Sequence, residues 1–285
     1  MQTPFGQFRD ICKMIKIEHS IFALPYAWAG SILAQRGIPN FKALIMLTIA
    51  MIAIRSFAMA FNRLVDLPFD KENPRTKNRP LVTGAISYNQ TWLFCAFMAL
   101  IFILSCYYIN SICFYLSIPA LLFSATYSLL KRITPLCHFW LGATLGLAPI
   151  AGWLSIEPNY LGMSPLLLFF AITFWVGAFD IYYAFQDMDY DKQAKLNSIP
   201  ANYGSQSALL LAAFSHILTI IFLFLTGYAS NLSILWYIII FIIALILLLE
   251  HYLMSLKDLR YINTAFFTLN GFISPIVLIG IFFTL

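Results

Sequence analysis

Two rows of acidic side chains carry the chemistry this sequence offers. Asn62, Asp66 and Asp70 stand four residues apart in Asn62-Arg63-Leu64-Val65-Asp66-Leu67-Pro68-Phe69-Asp70. Asp180, Tyr183 (or Ala184), Asp187 and Asp191 form a second row at spacings of three and four. On an α-helix such spacings put side chains on one face. Carboxylates at i, i+4 repel, and the penalty grows where water is scarce unless a cation or protons neutralise them. A divalent cation shared by both rows removes that conflict. The donors are all oxygen, which suits hard Mg²⁺ bound through few carboxylates plus substrate phosphates. Asn62, Asp66, Asp70, Asp187 and Asp191 are the expected ligands. Solvated helix ends are the plainer reading, and two matched rows, each followed by basic residues, argue against it. Pro68 is expected to end or kink the first helix.

The basic residues fit a diphosphate. Lys71, Arg75, Lys77 and Arg79 follow the first row, Tyr127-Ser128-Leu129-Leu130-Lys131-Arg132 closes another apolar run, and Lys192 and Lys195 follow the second row. Metals neutralise some phosphate oxygens and cationic donors take the rest. Arg75, Arg79, Lys131 and Arg132 are assigned to this role, whereas for Lys192, Lys195, Lys257 and Arg260 topology alone is an equal explanation. Arg55 lies seven residues before Asn62, two turns deeper on the same face. A charged residue inside a span faces the interior, so Arg55 is expected near the acceptor or the diphosphate, with Asp180 as the alternative structural partner.

The elements that must hold these residues are membrane helices. The 285 residues are 61% hydrophobic and 10% charged, with mean hydropathy +0.82, against about 25% charged in soluble domains. Apolar runs of about 20 residues cross the hydrocarbon core. Nine spans are predicted, at about 19–36, 43–62, 92–109, 112–130, 136–156, 165–187, 207–228, 232–250 and 261–284. With nine spans, fifteen of the seventeen Lys and Arg fall on one side and only Arg36 and Lys42 on the other. By the positive-inside rule the N-terminus and the mouth with both acidic rows face the cytoplasm. Residues 1–18 read as an amphipathic helix on the membrane surface and not as a cleavable signal. Segments 71–91 and 192–206 read as cytoplasmic cap loops of a single domain over 1–285. The five cysteines and four histidines show no metal-ligand spacing and read as ordinary core or interfacial residues.

The rows also repeat. Asp66 and Asp70 recur as Asp187 and Asp191, 121 residues on, and Pro80 and Gly84 as Pro200 and Gly204, 120 on. Two four-helix halves plus a last helix, enclosing a central cavity, explain this echo.

Asn62-x-x-x-Asp66-x-x-x-Asp70 and Asp180-x-x-Tyr183-x-x-x-Asp187-x-x-x-Asp191 resemble the two aspartate-rich signatures of the UbiA superfamily of intramembrane aromatic prenyltransferases. Ala-Phe-Asn-Arg-Leu-Val-Asp and Asn-Pro-Arg-Thr-x-x-Arg-Pro-Leu are most similar to its 4-hydroxybenzoate polyprenyltransferase branch; a menaquinone branch acting on a dihydroxynaphthoate (the futalosine route) looks much alike. The resemblance implies an all-α integral membrane bundle whose cavity opens sideways to lipid. It implies Mg²⁺-dependent transfer from a polyprenyl diphosphate to an aromatic carboxylate in respiratory quinone biosynthesis, in a bacterial plasma membrane, with no nucleic-acid partner. It assigns metal and diphosphate binding to Asn62, Asp66, Asp70, Asp187 and Asp191, with Asp66, Asp187 and Arg132 as catalytic candidates. Arg55, Arg75, Arg79, Tyr127, Lys131, Arg132, Asp180 and Tyr183 are the expected substrate contacts. An ion-coupled secondary transporter is the rival class, but its site would sit near the midplane at broken helices, and these carboxylates close the ends of spans.

Overall fold

The computed structural model describes residues 4–16, 23–256 and 268–285. Every described regular element is helical. The helices are α1 (Pro4–Ile15), α2 (Leu24–Gln35), α3 (Phe41–Glu72), α4 (Tyr88–Ile109), α5 (Ser111–Leu130), α6 (Cys137–Leu154), α7 (Met163–Ala184), α8 (Met188–Gln193), α9 (Ile199–Ser230), α10 (Ile234–Ser255) and α11 (Asn270–Thr284). Seven of the described helical segments are long and apolar enough to cross a membrane, α7 and α8 counting as one segment over Met163–Gln193; α11 is a shorter apolar helix. Helix α2 supplies the remaining predicted span, and its 12 residues rise only about 18 Å. The starts of the predicted first and last spans, with His19, Lys257 and Arg260, lie outside the described residues.

Side-chain caps punctuate the bundle. Asn40 accepts a hydrogen bond from the Ala43 N–H, Ser87 and Gln90 form a reciprocal capping box, and Asn110 accepts from Cys113 N–H at the tight α4–α5 joint. Backbone contact fixes the centre. A Cβ on Gly152 of α6 would stand 1.8 Å from the Ala27 carbonyl oxygen of α2, and one on Gly142 would stand 2.2 Å from the Thr173 carbonyl oxygen of α7. Small residues permit such approach between membrane helices. Gly152→Leu is therefore expected to destabilise the protein by about 3 kcal/mol, read as an earlier thermal transition in detergent.

The structure departs from the expected helix ends in two ways that matter to the site. Helix α3 continues through Pro68 to Glu72. Pro68 cannot donate to the Leu64 carbonyl, and the neighbouring Val65 carbonyl takes the Arg132 Nη2 donor at 2.6 Å. The second acidic row is not one continuous helical stripe. Phe185–Asp187 tighten into a 3₁₀ turn between α7 and α8, and the change of pitch directs Asp180, Asp187 and Asp191 to different partners.

The internal echo has a backbone counterpart. Gly84 and Gly204, matched in the repeat, both take positive φ, +78° and +80°. Gly204 breaks α9 into a short first turn and the long helix that follows, so part of the expected 192–206 loop is helical. Glycine enters this region without steric cost.

Candidate active site

Both acidic rows face one polar cavity of about 220 Å³ at the end of the bundle where α1 and the segments after α3 and α8 gather. Asp66 from α3 and Asp180 and Asp187 from the α7 segment all line it, as do Arg55, Asn62, Arg75, Arg79, Tyr127, Lys131 and Tyr183. A smaller adjoining pocket shares Asn62, Asp66, Arg75, Arg79, Lys131 and Asp187 and adds Asp70, Asp191 and Arg132. Every residue expected at the site is thus found in these two spaces.

Each carboxylate has a basic partner. Asp187 is clamped by Arg75, whose Nε is 2.8 Å from Oδ1 and whose Nη2 bonds Oδ2, and it also accepts from the Asn73 amide at 2.9 Å. Asp70 pairs with Arg79. Asp191, fully buried, pairs with Lys131 at 2.7 Å. Asp66 lies 3.7 Å from Arg132 and accepts 2.7 Å from the Asn62 amide, while the Asn62 carbonyl oxygen accepts from Arg63. All four basic partners come from the segments after α3 and α5, so Asp66 and Asp70 pair within the first half while Asp187 and Asp191 pair across the halves. Tyr190 adds a further tie, donating 2.7 Å to the Phe69 carbonyl. Asn197 N–H donates 2.7 Å to the Lys131 carbonyl, setting that lysine beneath Asp191.

These pairs shape the charges. Burial works against the Lys131 ammonium, yet the charge of Asp191 and its hydrogen bond hold it above the ordinary lysine range. Burial likewise opposes Arg75, and the bonds and charge of Asp187 carry its pKa above the usual arginine value. Both cations therefore stay protonated at any physiological pH.

Asp180 does not meet Arg55. Its Oδ2 lies 2.6 Å from His138 Nδ1, and His138 Nε2 accepts from the Ile199 N–H at 3.2 Å. Nε2 is an acceptor only when unprotonated, so the proton sits on Nδ1 and points at Asp180. Reading His138 as an ordinary core histidine missed this, because its partners are far off in sequence. Arg55 sits beside Tyr127, and its enclosed Nε finds no hydrogen-bond partner among the described residues. Asn73, Tyr190 and Lys16 were also missed. Asn73 belongs to the Asn-Pro-Arg segment and could have been found there; the others left no local signal.

One helical turn beyond Arg55 and Tyr127 the lining changes character. Leu47, Ala50, Met51, Phe102, Ala120 and Phe123 help to line an apolar cavity of about 290 Å³ between α3, α4, α5 and α6.

Among the described residues no three carboxylate, histidine or cysteine side chains converge into a ready metal cage. The donor set still fits Mg²⁺, which keeps waters and binds through one or two carboxylates plus phosphates. For the carboxylates to face a cation, the basic side chains covering them must turn away, and phosphate oxygens offer them new partners.

Residues 23–273 match the UbiA prenyltransferase family. The chain is 27% identical over 270 residues to the 4-hydroxybenzoate octaprenyltransferase of Marinobacter nauticus, covering 93% of this chain and 91% of that one. The apo structure of a UbiA homolog from Aeropyrum pernix K1 superposes with TM-score 0.85 at 30% identity, over 93% of this chain and 97% of that chain. A UbiA homolog from Archaeoglobus fulgidus bound to GPP and Mg²⁺ has the same fold, with TM-score 0.73 at 21% identity over 95% and 99% of the two chains.

Proposed function

The chain belongs to the UbiA prenyltransferase family, and from that premise we propose that it moves a polyprenyl group from its diphosphate to a ring carbon of 4-hydroxybenzoate with Mg²⁺. The observation that carries this reading is the shared cavity: Asp66 and Asp187, from the two halves, line one space with Arg75, Arg79 and Lys131.

Asp66, Asp70, Asp187 and Asp191, with Asn62, would hold the metal. Mg²⁺ bound there supplies positive charge toward the departing diphosphate. Arg75, Arg79, Lys131 and Arg132 would take the remaining phosphate oxygens as their carboxylate partners turn to the metal. Breaking the allylic C–O bond leaves its electron pair on the diphosphate and a cation on the prenyl chain. The Tyr127 and Tyr183 rings face the cavity, and π-faces favour a nearby cation. Arg55, whose Nε has no hydrogen-bond partner among the described residues, is suited to the acceptor carboxylate. Asp180, oriented by the His138 N–H, can accept the hydrogen bond of the acceptor hydroxyl. The ring carbon ortho to that hydroxyl bonds to the cation and then gives up its proton to the released diphosphate.

The apolar cavity beyond Arg55 and Tyr127 has room for the first part of the tail. Ala120→Phe should cut kcat/KM about tenfold for long donors, and much less for a ten-carbon donor, because only the long chain meets the added ring.

The decisive assay supplies membranes containing the protein with Mg²⁺, a polyprenyl diphosphate and labelled 4-hydroxybenzoate, then extracts lipid. Label in a prenylated product, abolished by EDTA, is the expected result. Turnover of a dihydroxynaphthoate in place of 4-hydroxybenzoate would move the acceptor to the menaquinone branch. The cytoplasmic orientation of the mouth in a bacterial plasma membrane is part of the same proposal, supported by the crowding of Lys and Arg at that end.

A further inference from the structure

We propose that Lys16, the residue following α1, is a phosphate-binding residue, and that with Lys13, Arg75 and Arg79 it forms an outer anion site for inorganic diphosphate beside the active site. This rests on the reading of the inner cavity as a diphosphate site and extends it to a helix not otherwise assigned to the chemistry.

A further space of about 380 Å³ adjoins the active-site cavity on its outer side. Lys13, Lys16, Arg75, Asn78 and Arg79 line it, with Asp10 as the single acid among its described lining residues. Lys16, Arg75 and Arg79 line both spaces, so a polyanion can pass between them without leaving cationic contact. The lysine is held in place from two sides. Met14, two residues before it, is buried against α3 and α4, where its carbonyl accepts from Arg63 Nε at 3.3 Å. Lys16 itself takes φ +47°, a left-handed conformation that costs a residue with a Cβ about 1–2 kcal/mol. Its ammonium lies 5.9 Å over the Tyr183 ring.

The electrostatics there favour an anion. Arg75 and Arg79 are matched by Asp187 and Asp70. Arg63 donates to the uncharged Met14 carbonyl and Asn62 amide oxygen. Burial first, then the charges of Arg63, Arg79 and Arg75, hold the Lys16 ammonium below the ordinary lysine range against the opposing pull of Tyr183. A crowd of cations of this kind favours a compact polyanion. Diphosphate, with several charged oxygens, is such an ion; bilayer phosphate headgroups share the chemistry and are separated from it by the test.

Binding of inorganic pyrophosphate to the purified full-length protein with Mg²⁺, and pyrophosphate inhibition of prenyl transfer, are to be measured for the wild type, Lys16→Gln, Lys16→Arg and Lys13→Gln. Lys16→Gln is expected to weaken both about tenfold and Lys13→Gln about threefold, while Lys16→Arg stays within about threefold of the wild type. The increase of thermal stability with Mg²⁺ alone is expected to be unchanged in all four. Wild-type pyrophosphate affinity in Lys16→Gln overturns the proposal. So does a Lys16→Gln protein that loses only its stimulation by phosphatidylglycerol nanodiscs, which would assign Lys16 to bilayer phosphates. A wild type that binds no pyrophosphate removes the inner site first, and the outer one with it.

Discussion

Replacing Asp187 with alanine is expected to lower prenyl transfer by about 10³-fold or more at saturating Mg²⁺, with the protein still folded. Asp187 lies at the centre of the crossing between halves. It lines both polar spaces and holds the Arg75 guanidinium and the Asn73 amide together. Its loss removes a metal ligand and also releases Arg75, a cation with a remaining hydrogen bond to the Tyr183 hydroxyl at 3.0 Å. Stability should therefore fall by only about 1–3 kcal/mol, and Asp187→Asn should keep most of it while losing comparable activity. Asp66→Ala is expected to behave similarly in transfer, although its pair with Arg132 is longer and more exposed. The measurement is prenylated product per folded protein, with folding checked by thermal transition. Retained prenylation in both alanine variants would end the assignment of these carboxylates to metal and diphosphate.

The acidic rows were legible because their spacing is helical and because a chain with so few charges must spend them where they act. The apolar runs gave the helices for the same reason: hydrocarbon demands length and hydrophobicity, and both are written along the chain. What the residues could not announce is anything that depends on a second segment. The 3₁₀ turn at Phe185–Asp187 carries no proline or glycine, and only the packed bundle reveals that Asp180 turns to His138 while Asp191 turns to Lys131. Pro68 pointed to a helix end, yet the helix runs on, with Arg132 donating to the adjacent Val65 carbonyl. Lys16 read as one more basic residue on an interfacial helix, because nothing near it in sequence marks a cavity edge. The glycine pair is the opposite case. Gly84 and Gly204 were matched by position alone, and their common positive φ gives that match a conformational basis.

Arg55→Met is expected to raise KM for 4-hydroxybenzoate about 100-fold or more while leaving KM for the prenyl diphosphate within about threefold. The argument is one of unmet charge. Arg55 lies two turns deeper than Asn62, away from the carboxylates that pair with Arg75, Arg79, Lys131 and Arg132, and its Nε is enclosed without a hydrogen-bond partner among the described residues. A buried arginine so placed is costly in the absence of an anion, and a planar carboxylate matches its fork. One charge-assisted pair in a dry cavity is worth about 3 kcal/mol, hence the factor of about 100. Two controls separate this from general damage. Arg55→Lys keeps the charge but not the fork, so it should recover part of the loss. An uncharged acceptor such as phenol should be prenylated about equally by the wild type and Arg55→Met, since phenol brings no carboxylate for Arg55 to pair with. If Arg55→Met instead raises KM for the diphosphate donor and spares that for the acceptor, Arg55 serves the leaving group, and the acceptor carboxylate must find its partner elsewhere in the cavity.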